Sequence, residues 1–267
     1  MNALRLYLRY AGVSVRGQMQ YRTSFVLTSL GLCVVTVTEL LGIFVLFHRF
    51  GALRGWRLEE IGLFYGLTYT SFALAAAFGR GFDTFPGLVR GGGFDRILLR
   101  PRSAAFQVAS GQLLLNRVGR LGVALAVLFW AAGALDVRWT LARAALLAFA
   151  VAGGVCLFYG LFELQATLAF WTVETLEIMN TVTDGGRETA QYPLSIYRPW
   201  FRTFFTFVVP LACVSYFPAV AALGRRDEAL GSPAWFQCAA PLVGVAFLVG
   251  ALAIWRIGVR HYRSTGS

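Results

Sequence analysis

Two acidic residues, Glu39 and Glu163, lie inside long apolar runs, and any proton or cation chemistry in this 267-residue chain would start there. A carboxylate at bilayer depth is costly unless it is paired, hydrated or protonated. Two readings of Glu39 follow. Either it sits on a path for cationic or amphipathic cargo, or it pairs with a donor on a neighbouring helix. Glu163 groups by position with Gln165, Glu174 and Glu177 as a polar network at the inner membrane edge. Other reactive residue types are sparse. The chain has no Lys, which removes the phosphate-binding Lys of a P-loop and the amine of Schiff-base catalysis. His48 and His261 stand far apart, and Cys33, Cys156, Cys213 and Cys238 each lie in an apolar run without metal-type spacing. No catalytic residue, metal site or cofactor is expected in this chain.

The elements that hold these groups are apolar. Hydrophobic residues make up 57% of the chain and charged ones 14%, with a mean hydropathy of +0.63; soluble domains carry about a quarter charged residues. An all-α polytopic membrane protein, one transmembrane domain over residues 1–267, is the expectation. Six spans of about 20 residues would consume nearly half of the chain. Residues 1–23 read as an amphipathic interfacial helix, with Leu4, Leu8, Ala11 and Val15 on one stripe and Arg5, Arg9 and Arg16 on another. Crossings are expected at about 25–47, 61–79, 112–135 and from 144 past Glu163 towards Trp171, then one between 172 and 223, and a last at 234–255.

All 24 basic residues are Arg, against 13 acidic residues, for a net charge of +11. With both termini cytoplasmic, 17 Arg fall in inside segments and 7 outside, as the positive-inside rule asks. The excess fits anchoring beside anionic lipid. No Arg cluster sits on a soluble domain that would present it to nucleic acid.

The fifth crossing has two candidates. Phe204–Leu223 is uncharged and long enough, but Pro210 and Pro218 interrupt it. Alternatively 172–190 crosses, shielded from lipid by protein because it carries Glu174, Glu177, Asp184, Arg187 and Glu188, and 193–223 dips back as a hairpin from outside. Among aromatic residues, Tyr69, Phe205 and Phe207 are candidates to line a path for hydrophobic cargo, although most rings in such a chain pack helices.

The loop 80–111 after the second span carries the clearest signal. Pro86 and Gly91–Gly93 break the helix around a short element, in which Phe94, Ile97 and Leu98 form one apolar face and Asp95 and Arg96 the other. Pro101 ends it. Such an element suits docking, its apolar face filling a partner's groove while charges set register; resting on lipid is the other reading.

These residues carry a resemblance. Gly93-Phe94-Asp95-Arg96-Ile97-Leu98-Leu99-Arg100-Pro101 resembles the segment that follows the second span in ABC type-2 exporter permeases. Tyr192-Pro193-Leu194-Ser195-Ile196-Tyr197 resembles the segment before their last span, with Pro210 and Pro218 behind it. The likeness is to the bacterial six-span branch without a fused ATPase. It implies a coupling helix at residues 90–101, in which Arg90, Gly93, Phe94, Asp95, Arg96, Ile97, Leu98 and Pro101 meet a cytoplasmic ATP-binding cassette ATPase dimer. It further implies ATP and Mg on that partner, a second six-span permease, identical or a sister subunit, and a place in the bacterial cytoplasmic membrane. The outer re-entrant hairpin maps to residues 193–223. The competing function is an ion-coupled secondary transporter using Glu39 or Glu163; no inverted repeat with paired broken helices supports it. A membrane enzyme lacks its reactive residues.

Overall fold

The computed structural model describes residues 12–13, 16–111, 118–172 and 176–262, without the side chains at 80, 118 and 176–180. Helices α1 (Arg22–Phe50) and α2 (Leu58–Gly79) lead through a 3-10 turn at Arg80–Thr84 to three short helices, α3 (Phe85–Arg90), α4 (Gly93–Leu98) and α5 (Ala104–Ser110). Then come α6 (Val118–Ala134), α7 (Leu141–Leu168) and α8 (Leu176–Ala190). Next, α9 (Pro199–Thr203) runs on as a π-type segment to Val208, followed by α10 (Leu211–Val214) and α11 (Tyr216–Leu223). The described chain closes with α12 (Ala234–Ala239) and α13 (Leu242–His261). The described residues form no strand. Most of the expected interfacial helix lies outside them; residues 16–20 are helical.

Helices α1, α2, α7 and α13 are long and apolar enough to cross a membrane. At about 1.5 Å per residue, even the shortest of them reaches about 30 Å, the thickness of the hydrocarbon layer. Gly119–Ala134 is a shorter apolar helix, and residues 112–117 before it lie outside the described set. The chain is a multi-pass, all-α membrane protein. One expected boundary needs correcting. Pro241 divides the predicted last crossing, because it has no N–H to continue α12, and the long helix runs from Leu242 to His261.

Small residues set the packing, as they do where lipid supplies no hydrophobic drive between helices. Helix α2 is the hub, buried almost along its length. Gly62 faces Trp130 and Ala131, and Gly66 faces Leu128, so α6 runs antiparallel to α2. Gly154 meets Ser71, and Gly79 meets Tyr159 and Phe162, so α7 runs parallel to it. A Cβ on Gly244 would stand 2.1 Å from the Gly153 carbonyl oxygen. There the backbones of α7 and α13 touch, and no larger residue fits.

The bundle therefore has two ends, one marked by Phe94 and one by Trp56. At the Trp56 end, Leu53 and Trp56 exchange backbone hydrogen bonds of 3.0 Å, fixing the indole in the loop between α1 and α2. Trp56 Nε1 donates to Ser195 Oγ at 3.0 Å, and the Arg225 guanidinium lies 4.4 Å over the indole. Arg225 Nε also pairs with Glu60 Oε1 at 2.8 Å. Asp227 accepts from the Tyr216 hydroxyl at 3.0 Å and from the backbone N–H groups of Ala229, Leu230 and Ser232. Burial alone would raise its pKa, but those backbone donors hold the carboxylate below its ordinary range.

Those contacts decide the path of residues 193–225. Ser195 and Arg225, at either extremity, both sit on Trp56. Arg202 ties the extremities together, donating from Nη2 to Ser195 O at 2.6 Å and from Nη1 to Ala229 O at 3.3 Å. Between them the chain turns at Val209–Pro210, the two limbs bent by 73°. A Cβ on Gly186 would stand 2.7 Å from Leu211 Cδ1, which places the turn against the C-terminal half of α8. The segment enters and leaves at the same end. Helix α8 runs antiparallel to α2, with Arg187 beside Phe72 and the Ala190 carbonyl accepting from Thr68 Oγ1 at 3.0 Å. Residues 191–195 then carry the chain on to Trp56.

Candidate functional site

Two places gather the residues singled out by their types and spacing. The first is the Phe94 end. Gly92 enters α4 with φ 63°, a left-handed conformation that Gly adopts without a Cβ penalty. That turn swings Phe94 inward, where it is fully buried. Its ring meets Phe85 at 5.0 Å, Tyr262 at 4.9 Å and Phe170 at 5.5 Å between centroids. Phe85 in turn packs on Trp255 at 4.9 Å. This corrects the expected docking face. Phe94 is an anchor packed within the chain, not outward, and Ile97 is half-buried beside it.

What α4 offers outward is different. Leu98 is 43% exposed and Leu99 85%, with Arg90, Arg96, Arg100 and Pro101 exposed around them. Asp95 stands beside Tyr262; burial first, and then this carboxylate, raise the pKa of the Tyr262 hydroxyl. Gln107 latches the loop after α4, donating from Nε2 to Ile97 O at 3.1 Å and Arg102 O at 3.0 Å. A cleft of about 460 Å³ opens beside it, lined by Thr84, Leu88, Ile97, Arg100 and Gln107 among others. An aromatic pair contributes about 0.5–1.5 kcal/mol beyond its buried area. Several of them join α4 to the ends of α7 and α13.

The second place is a polar cluster halfway along the bundle. Arg187 Nη2 pairs with Glu188 Oε1 at 2.5 Å and Nη1 lies 3.8 Å from Asp184 Oδ1. The guanidinium also sits 5.0 Å over the Tyr69 ring and 4.9 Å over Phe72. The Tyr69 hydroxyl donates to Glu188 Oε1 at 3.0 Å and lies 3.5 Å from Glu39 Oε2. Gln191 Nε2 donates to Glu188 Oε2 at 2.9 Å. This arrangement lets α8 carry charge through a bundle interior: the cation is paired, and the rings solvate its faces.

Matched against protein families, residues 33–266 fit the family described as ABC-2 family transporter protein. The chain belongs to the ABC-2 transporter family. Membership makes it the membrane subunit of a transport system and implies an ATP-binding cassette partner. No curated protein and no solved structure matches it.

In this ABC-2 permease the remaining expected residues scatter. Glu39 and Tyr69 come together, as above. Phe205 is buried near Gly186, whereas Phe207 is 72% exposed and faces away. Glu163 is fully buried and neither carboxyl oxygen has a hydrogen-bond partner among the described residues. Glu163 and Gln165 therefore do not form the expected inner-edge network through the Glu163 carboxyl. Glu174 and the Glu177 side chain lie outside the described residues. Tyr192, Pro193 and Ser195 form the entry to the returning segment, Pro210 its turn, and Pro218 the first turn of α11 where no N–H is needed. Sequence reasoning missed Arg187, Glu188, Gln107, Phe170 and Tyr262 as site residues. Only the charge of the Asp184–Glu188 stretch could have pointed to any of them.

Proposed function

We propose that this permease is the membrane half of an ATP-driven exporter for a hydrophobic or amphipathic substrate. It works beside a second six-span permease, a like copy or a sister subunit, and ATP with Mg is bound and hydrolysed on separate cassette subunits. The Phe94 end and both termini face the cytoplasm across a bacterial cytoplasmic membrane. Residues 193–223 form a re-entrant hairpin from the outer side, and α8 makes the fifth crossing. The observation that carries this reading is α4 with its flanks, which present Leu98, Leu99, Arg90, Arg96 and Arg100 outward while Phe94 is anchored in an aromatic bed. An ATPase that docks there moves α7 and α13 directly. Co-expression with a cassette ATPase and purification on a tag placed on the permease is the test. We expect the ATPase to co-purify, and its absence from the purified material under mild detergent would end this reading.

The Glu163 carboxyl, without a hydrogen-bond partner among the described residues, favours one second reading, an ion-coupled transporter that loads a proton there. Transport by the permease alone, driven by a proton gradient and abolished by Glu163→Gln, would establish it.

A further inference from the structure

A groove of about 250 Å³ runs between α1, α2 and α6, walled by Val37, Leu40, Phe44, Leu58 and Val127 among other apolar side chains. Tyr65 also lines it. That residue is 1% exposed and its hydroxyl has no hydrogen-bond partner among the described residues, while the carboxylate of Glu39 lies near enough to act on it. Beyond Tyr65 comes Tyr69, its ring stacked on that of Tyr65 at 4.0 Å.

Proton counting singles out Glu39. The Tyr69 hydroxyl has one proton and two carboxylates beside it. The 3.0 Å bond to Glu188 takes that proton, and Glu39, at 3.5 Å, has no closer donor among the described residues. Among the described residues, Glu39 on α1 and Arg187 and Glu188 on α8 meet around Tyr69, and Arg120 on α6 lies near Tyr65. Arg187 is engaged with Asp184, Glu188 and two rings. The Glu39 carboxylate thus stands behind the Tyr65–Tyr69 pair, whose Tyr65 lines the apolar groove, and the stacked π faces also favour a cation.

The geometry points to a binding site for a lipophilic organic cation, its apolar body in the α1–α2–α6 groove and its charge against Glu39 and the Tyr65–Tyr69 pair. This names the cargo class and so rests on the exporter reading.

Tetraphenylphosphonium and tetraphenylborate have nearly the same shape and opposite charge. Equilibrium dialysis of each against the purified full-length permease, with no ATPase present, tests the site. Saturable binding of the cation, about tenfold or more tighter than the anion, is expected. Glu39→Gln should remove most of that preference. Val127→Trp fills the groove without touching a charge and should weaken binding of the cation about tenfold. Equal affinity for the two ions in the unaltered protein overturns the proposal. So does unchanged cation binding in either variant. If Glu39→Gln does not fold, the ion comparison and Val127→Trp still decide. Because binding is read without the ATPase, loss of ATPase association with intact cation selectivity defeats the exporter reading alone. Intact association with no cation selectivity defeats only the site proposed here.

Discussion

Arg96→Glu should leave the permease folded and inserted yet cut ATP-driven transport about tenfold or more, because reversing an exposed interface charge costs a partner's complementarity. Arg96 lies on the outer side of α4, among Arg90, Arg100 and the exposed Leu98 and Leu99. Phe94→Ala is the informative contrast. It removes the ring that meets Phe85, Phe170 and Tyr262, and truncation of a packed Phe costs about 3–5 kcal/mol. That variant should lose thermal stability as well as transport. Transport assays on vesicles, with helicity and melting measured on the same preparations, separate the two. Normal transport by Arg96→Glu would take α4 out of the coupling interface.

The second large effect is expected at Arg187. Arg187→Met leaves Glu188 and Asp184 without their cation, beside Tyr69 and Phe72. Breaking a buried pair from one side costs about 3–5 kcal/mol; Glu188 and Asp184 keep partial exposure, so about 2–3 kcal/mol is the fairer figure. Adding Glu188→Gln should recover much of that loss, since the stranded charge is gone. Lys at 187 should not restore the native state, because a point charge lacks the planar face that stacks on two rings. The melting temperature of detergent-solubilised protein reads all three. An unaltered melting temperature for Arg187→Met would show that the cluster does not hold α8 in place.

Much of the architecture is legible in the chain because lipid imposes a simple rule. Long apolar runs mark α1, α2 and α7, and the charges at Asp184–Glu188 show that α8 needs protein around it. The prolines at 210 and 218 flag a returning segment, although only its anchors on Trp56 reveal that both limbs leave by the same end. Pro241 was equally visible, but averaging over an apolar window hides a single missing donor. The inward turn of Phe94 was not legible. Periodicity places Phe94, Ile97 and Leu98 on one face, and whether that face meets the chain's own Phe170 and Tyr262 or a partner depends on contacts distant in sequence. The same holds for Arg187, whose rings come from α2 more than a hundred residues earlier. Local pattern reports which residues share a face, not what that face touches.

The central claim is that this chain supplies a path and another chain supplies the energy. Its most direct test is uphill movement of tetraphenylphosphonium across sealed vesicles containing the permease, with and without the co-purifying ATPase, in the presence of Mg and ATP. Accumulation against the gradient is expected only when both proteins are present and ATP is hydrolysed. Accumulation by the permease alone under an imposed proton gradient, indifferent to the ATPase, would contradict it.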